Sequence, residues 1–319
     1  MKYVATTLCA AAAAATAALP ALAQDYPARS MEWIVPAPAG GGTDTAGRML
    51  ATLVEDDLGQ AIAVKNVAGG GGSAGMSQFI QSAQDSYTLA AVWNGPLTTV
   101  PNIQNVPYAP EDYRPIVSTS ETAYTMCVKP DFPAETGQEM LDEIAANPEK
   151  YTYGNDGVGG TMQLAAERIF AKYEAVAIPI PFGGAGETLQ NFLGGHVDIY
   201  GGSIAPVQPY VESGEAKCLI VTSADPVEAL PQASSMGDLG FPELATYLWR
   251  ALLGPKSMTD AEADVIVASV EKAMQDEEYI AFLAKRGEWP AVYSGAELQK
   301  RIDDEYQALG EAAERIGLK

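Results

Sequence analysis

The stretch Trp33-Ile34-Val35-Pro36-Ala37-Pro38-Ala39-Gly40-Gly41-Gly42-Thr43-Asp44 decides the reading of this chain: an apolar strand breaks into a glycine-rich turn, and the turn opens a helix. A second turn of the same design, Tyr153-Gly154-Asn155-Asp156-Gly157-Val158-Gly159-Gly160-Thr161, opens another helix in the second half. Glycine lets the backbone come close to a ligand, and the first N–H groups of a helix have no internal acceptor. With roughly half a positive charge at a helix start, two such turns facing one another make a trap for a carboxylate or phosphate.

Working outward, residues 1–23 combine Lys2 with an alanine-rich apolar run ending in Ala21-Leu22-Ala23, a small-x-small signature ahead of Gln24. This predicts a cleaved secretory leader and an exported mature chain that starts near Gln24. Cys9 follows Thr6-Thr7-Leu8 and lacks the small residue that lipoprotein processing needs, so a lipid anchor is not expected. No later stretch reaches the ~18 apolar residues of a membrane span. The 319 residues suffice for two lobes, each with its own core, and a hydrophobic content of 47% argues against disorder. Acidic residues outnumber basic ones by 41 to 19, a formal net charge of −22. Such a surface repels nucleic acid and anionic lipid, so neither is expected as a partner. It also cannot steer an anionic ligand from afar, which leaves local backbone dipoles as the expected source of anion specificity. After leader removal, Cys127 and Cys218 remain, each in an apolar strand-like stretch. They are disulfide candidates in an oxidising compartment, or two buried thiols.

Strands and helices alternate along the chain, which predicts an α/β fold with mainly parallel sheets. Strands are expected at 32–36, 61–65, 88–92, 151–154, 176–180, 197–200 and 217–222, and helices at 43–58, 161–173 and 185–193. Another helix follows the glycine run Gly69 to Gly75 and continues to about Ala83. The proline-rich stretch Pro96 to Pro115 reads as neither regular helix nor central strand, and Asp225 to Pro242 has a similar texture. These are the expected crossings between lobes. They divide the chain into a leader (1–23), a discontinuous first lobe (24–115 and 225–290), a second lobe (116–224) and C-terminal helices (291–319) packed across both. Thr259-Asp260-Ala261-Glu262 and Ser294-Gly295-Ala296-Glu297 each fit a capping box at a helix start.

Little else in the chain suggests chemistry. The single histidine, His196, sits in the turn Leu193-Gly194-Gly195-His196-Val197-Asp198, where a polar residue simply faces water. No nucleophile elbow and no His-Glu-x-x-His motif occurs, and the ligands for a zinc site are missing. Gly70-Gly71-Gly72-Ser73-Ala74-Gly75 fits the dinucleotide-binding pattern only because a run of glycines fits many patterns. Neither glycine turn carries Lys or Arg, which favours a carboxylate over a polyphosphate. The acidic clusters at Asp56-Asp57 and Asp303 to Glu305 read as solvated helix faces. No catalytic residue, metal site or cofactor is expected.

An ordered series of short motifs carries a resemblance. It consists of Val35-Pro36 with Gly40-Gly41-Gly42-Thr43-Asp44, Leu58-Gly59-Gln60, Gly69 to Gly75, Tyr87-Thr88-Leu89, Tyr108-Ala109-Pro110, Tyr153-Gly154 with Gly157-Val158-Gly159, Leu193 to Asp198, and Val221-Thr222-Ser223. In these the chain resembles the solute-binding proteins of tripartite tricarboxylate transporters, the Bug family, from about Tyr26 to its C-terminus. The resemblance implies a periplasmic, two-lobed type II binding-protein fold closing by a hinge on a small organic carboxylate, a di- or tricarboxylate or an aromatic acid. It also implies, as membrane partners, a large and a small integral subunit; the chain itself is expected to be a monomer. Carried over by position, it implies ligand binding by Ala39, Gly40, Gly41, Thr43 and Asp44 in the first lobe. In the second it implies Asp156, Gly157, Gly159, Gly160, Thr161 and Gln163, with Gly184 and Ser203 added to the set; Trp93 and Asn94 are expected to line the same space. The family usually has Phe-Ala-Ala where this chain has Ala37-Pro38-Ala39, and Ser then His where it has Gly160 and Gln163. The smaller first-lobe wall leaves room for an aromatic or bulky ligand body with one carboxylate held deeply. A receptor read by a membrane sensor kinase, or an exported enzyme, are the competing readings.

Overall fold

The computed structural model describes residues 26–82 and 85–318. The expected leader and Cys9 lie outside them. The first lobe begins with β1 (Met31–Val35), α1 (Gly42–Leu58), β2 (Ile62–Asn66), α2 (Ser73–Ser82) and β3 (Thr88–Trp93). β1 pairs in parallel with both β2 and β3. After β3 the chain makes a π-helical turn at Gly95–Thr99, runs into the short α3 (Val100–Ile103), and enters the long strand β4 (Tyr113–Val128). Next come α4 (Gly137–Ala146), β5 (Thr152–Asn155), α5 (Thr161–Lys172), β6 (Ile178–Pro181), α6 (Ala185–Leu193), β7 (Ile199–Ser203), α7 (Ile204–Glu212) and β8 (Lys217–Val221). The chain returns through β9 (Tyr247–Pro255) and ends in α8 (Asp260–Ala273), α9 (Glu277–Ala284) and α10 (Gly295–Arg315). Among the described residues no helix is long and apolar enough to cross a membrane.

The strands form one curled ladder in the order β2-β1-β3-β9-β4-β7-β5-β6, with β8 also on β4. β4 belongs to both lobes. From Tyr113 to Ala123 it pairs antiparallel with β9, and from Tyr124 to Val128 it pairs antiparallel with β7, while Thr125 to Val128 also pair with β8. The expected parallel pairing holds for β1 to β3 and for β5 to β7, whereas antiparallel pairs join the two halves. A continuous strand carries the crossing because its ladder stays hydrogen-bonded on both sides of the junction, which a loose linker cannot do.

Three expectations are corrected. The stretch from Pro96 to Pro115 does hold helix, because Pro96 and Pro101 are the second residues of their helices, inside the first turn, where a missing N–H costs nothing. Pro115 lies inside β4, where the register with β9 shifts between Pro115 and Val117. The change of sheet therefore comes at Ala123–Tyr124, not at Pro115. The segment from Asp225 to Thr246, expected with the first lobe, packs in the second: Val227, Leu230 and Ala233 join the core around Phe192, and Met236 and Leu239 that around Phe170. Thr246 N–H donates to Thr222 O, so the return crossing falls just ahead of β9.

Each lobe buries both faces of its sheet. Trp33, Leu50, Ile266 and Tyr279 fill one side of the first lobe, and Phe79, Trp249, Leu298 and Ile302 the other. The front half of α10 belongs to that second cluster, whereas its rear half packs Leu309, Ala312 and Ala313 on Leu164 of α5. α10 thus bridges the lobes. Cys127 and Cys218 are register partners on β4 and β8 and form a disulfide. Thr259 and Glu262 close the expected capping box at α8, but Ser294 makes no side-chain cap; the Glu297 N–H goes to its carbonyl instead. His196 is exposed at its turn.

Candidate functional site

The glycine turn before α1 is braced from below. Asp44, 3% exposed, accepts hydrogen bonds from the Gly40 N–H at 2.7 Å, Asn66 Nδ2 at 2.9 Å and Arg48 Nε at 2.8 Å. Burial alone would raise its carboxyl, but these hydrogen bonds and the Arg48 charge hold it below the usual carboxylate range. Asn66 also donates to Ala37 O, so Asp44 and Asn66 together fix the loop. Asp44 is a brace of the turn, with its oxygens already engaged. Gly40 takes φ +79°, a backbone that favours glycine. Gly41 is the N-cap of α1 and has no side chain to cap it, so the first N–H groups of the helix stay directed into the space above.

Two arginines from remote parts of the sequence come to that same point. Arg250 reaches in from β9 and Arg286 from the turn after α9; a Cβ built on Gly42 would lie 3.0 Å from Arg250 Nη2 and 3.1 Å from Arg286 Nη2. Glu288 holds both, accepting Arg250 Nη1 at 2.5 Å and Arg286 Nε at 3.2 Å. Ser120 Oγ also accepts from Arg250 Nη1 at 3.3 Å. Arg250 is 6% exposed, and its Nε is buried without a partner.

Above this corner lies a cavity of about 510 Å³. Its first-lobe wall comprises Pro38, Gly40 to Thr43, Trp93, Leu248, Arg250 and Arg286, and its second-lobe wall Ala185, Ser203, Ala205 and Pro206. The Trp93 ring lies close against Gly72 and Gly95, where a Cβ would come within 2.8 Å and 2.4 Å of it. Opposite, α7 starts at Ser203, an N-cap without a side-chain cap. Pro206 has no N–H, so Ala205 is the first-turn residue of the lining that carries a main-chain donor. Two helix starts therefore do face one cavity, but the second is that of α7.

The expected partner turn is occupied by the chain itself. Asp156 folds back onto the start of α5, accepting from Met162 N–H at 3.1 Å and Gln163 N–H at 3.4 Å, and Gln163 Oε1 accepts from Gly159 N–H at 2.6 Å. Burial outweighs these hydrogen bonds and pushes the Asp156 carboxyl up to about 6. Gly160 makes the arrangement possible, since a Cβ there would lie 2.2 Å from Asp156 Oδ1. Gly159 packs on Ile103 and Leu318, and Thr161 Oγ1 meets Thr99 Oγ1 at 2.8 Å.

Of the residues singled out in the sequence, Gly40, Gly41, Thr43, Trp93 and Ser203 line the cavity. Ala39 and Gly184 flank it in sequence, next to Gly40 and Ala185. Asn94 is buried, donating to Tyr247 O and Glu305 Oε1. Asp156, Gly157, Gly159, Gly160, Thr161 and Gln163 are outside its lining. Arg250, Arg286 and Glu288 were missed, and the expectation that backbone dipoles alone supply the positive field is corrected by the two guanidiniums. One signal was readable: Arg250 is the only charged residue of the otherwise apolar Tyr247–Pro255. Among the described residues no group of three or more His, Cys, Asp or Glu could hold a metal ion. Hollows of similar size lie along α10, but there Arg301 is paired with Glu121 and Lys300 with Asp304.

The model of the TctC family, the tripartite tricarboxylate transporter family receptor, matches residues 46–318. This chain belongs to that family. It is 29% identical over 311 residues to the protein BugT of Bordetella pertussis, covering 96% of this chain and 95% of BugT. It is 32% identical over 279 residues to a protein encoded in the gbd 5′ region of Cupriavidus necator, covering 86% and 84% of the two chains. Among solved structures, a TctC solute-binding protein from Polaromonas superposes with TM-score 0.79 at 27% identity, over 91% of this chain and 99% of its own. BugD, a periplasmic binding protein, shares the fold with TM-score 0.76 at 24% identity, over 92% and 99%. The two-lobed periplasmic binding-protein fold expected from the sequence is thus the fold observed. The family and its structural neighbours are periplasmic solute-binding receptors.

Proposed function

We propose that this TctC-family receptor captures a small organic carboxylate between the starts of α1 and α7 and hands it, chemically unaltered, to integral membrane subunits of a tripartite tricarboxylate transporter. The chain is exported by its N-terminal leader and works as a monomer in the periplasm. One observation carries the reading: two guanidinium groups stand over the uncapped start of α1, at the wall of a cavity whose other side is the uncapped start of α7. A carboxylate placed there takes charge-assisted hydrogen bonds from the arginines and neutral ones from main-chain N–H groups. Trp93, Pro38, Pro206 and Leu248 offer apolar area to the body of the ligand. β4 and β9 act as the hinge, and the ligand favours the closed form because only then do both helix starts reach it.

The test is a thermal-shift screen of the purified chain against malate, adipate, hexanoate and benzoate, with hexanamide and benzamide as uncharged controls. A ligand at a hundred times its dissociation constant adds about 2.7 kcal/mol of stability. Stabilisation by one or more acids, silence from the amides, and recovery of the acid intact by mass spectrometry are expected. Amides acting as well as acids, or a converted product, would overturn the reading.

A further inference from the structure

Glu288 does more than hold two arginines in place. Its two oxygens are divided between Arg250 and Arg286, so the trio carries two positive charges and one negative, a surplus of one. The Glu288 and Arg250 side chains are 4% and 7% exposed, so water screens that pair little, whereas Arg286, at 27%, is screened more. Glu288 is the only carboxylate among the described residues that line the cavity. Glu121 is taken by Arg301 at 2.7 Å, and Asp44 by Arg48 at 2.8 Å. The unpartnered Arg250 Nε adds a buried donor, and buried charge is stable only when matched.

We propose that Glu288 sets the charge of the head group this cavity accepts, matching the corner to a singly charged carboxylate and discriminating against doubly charged phosphate monoesters. The inference rests on the carboxylate-capture reading. With one guanidinium neutralised from within, a carboxylate completes the charge balance, whereas a dianion leaves an excess negative charge beside the Glu288 carboxylate. Glu288 acts here through the arginines it holds, as a specificity-determining residue.

The experiment is calorimetric titration at pH 8, where a phosphate monoester is a dianion. Hexanoate is compared with hexyl phosphate, and benzoate with phenyl phosphate, in the unsubstituted chain, in Glu288→Gln and in Arg286→Gln. The unsubstituted chain should prefer the carboxylate of at least one pair by about tenfold or more, and Glu288→Gln should shift that ratio toward phosphate by about tenfold or more. A general loss of packing would weaken both members together and leave the ratio alone. If Glu288→Gln does not fold, Arg286→Gln decides, since its side chain is partly exposed and Glu288 keeps Arg250 as a partner without it. It should bind carboxylate about tenfold or more weakly and phosphate more weakly still. An unmoved ratio in folded Glu288→Gln, or unchanged carboxylate affinity in Arg286→Gln, overturns the role of Glu288 while leaving carboxylate capture standing. Silence of the unsubstituted chain toward these four compounds and toward malate and adipate would overturn carboxylate capture itself.

Discussion

The two glycine turns look alike in sequence and do opposite things. At Gly40 to Thr43 the internal carboxylate, Asp44, lies beneath the turn and takes from the main chain only the Gly40 N–H, so the start of α1 remains open under Arg250 and Arg286. At Asp156 to Thr161 the internal carboxylate sits on the helix start itself and uses the N–H groups a ligand would need. Glycine content is the same kind of signal in both. What separates them is the side of the turn on which an acidic side chain finds room, and Gly160 provides that room by having no Cβ.

The most severe way to break the comparison is at the open turn. Arg250→Met leaves Glu288 buried without one of its cations, and should cost about 3–5 kcal/mol of stability along with anion binding. Chemical denaturation and titration would show both losses; a stable variant that still binds acids would contradict the site. Gly42→Val separates the two effects. Its side chain enters the space held by both Nη2 groups, so acids should bind at least about tenfold more weakly, roughly 1.4 kcal/mol, while the melting temperature hardly moves. Gly160→Ala is the reciprocal change at the closed turn. It drives Asp156 off the start of α5 and should cost about 1 kcal/mol, the usual worth of a lost cap, with acid affinity unchanged. Loss of affinity in Gly160→Ala would return the second turn to the binding site.

The smallest effect is a difference of sign with pH. Asp156 is raised from 3.8 to about 6 in the folded chain, so its contribution to stability is full below about pH 4 and is lost as pH rises toward and past 6. Asp44 is lowered, so its contribution is present above the ordinary carboxylate range and is lost as pH falls through its folded value. Denaturation curves from pH 3 to 8 should therefore change in opposite directions: Asp156→Asn should remove a decline between about pH 4 and 6, and Asp44→Asn should remove a gain. Parallel changes in the two variants would mean that the carboxylates share one environment.

Much of the fold was legible because it is written in local pattern. The helix of α6 is found at the expected 185–193, and β1, α1, β3 and α5 lie within a residue or two of expectation, since strand-to-helix transitions at glycine need no distant contact. Only the stretch of β4 around Cys127 was legible as a strand; the rest was hidden because its residues are buried almost throughout, and a strand buried on both faces shows no alternation. The site was legible in part for the same reason. Gly40, Gly41 and Thr43 belong to the turn that announces itself, whereas Arg286 lies in an unremarkable Lys285-Arg286-Gly287-Glu288 run after a helix.

The sequence by itself determined that glycine turns open helices in both halves of the chain, and the family it resembles, because both follow from short-range spacing. Only the tertiary structure decided which helix start is free and which is filled, that α7 and not α5 stands opposite α1, and that Arg250, Arg286 and Glu288 meet above Gly42. Hydrogen-bond donors are satisfied or left open by whatever the packed chain brings within about 3 Å, and that proximity is not a property of any local stretch.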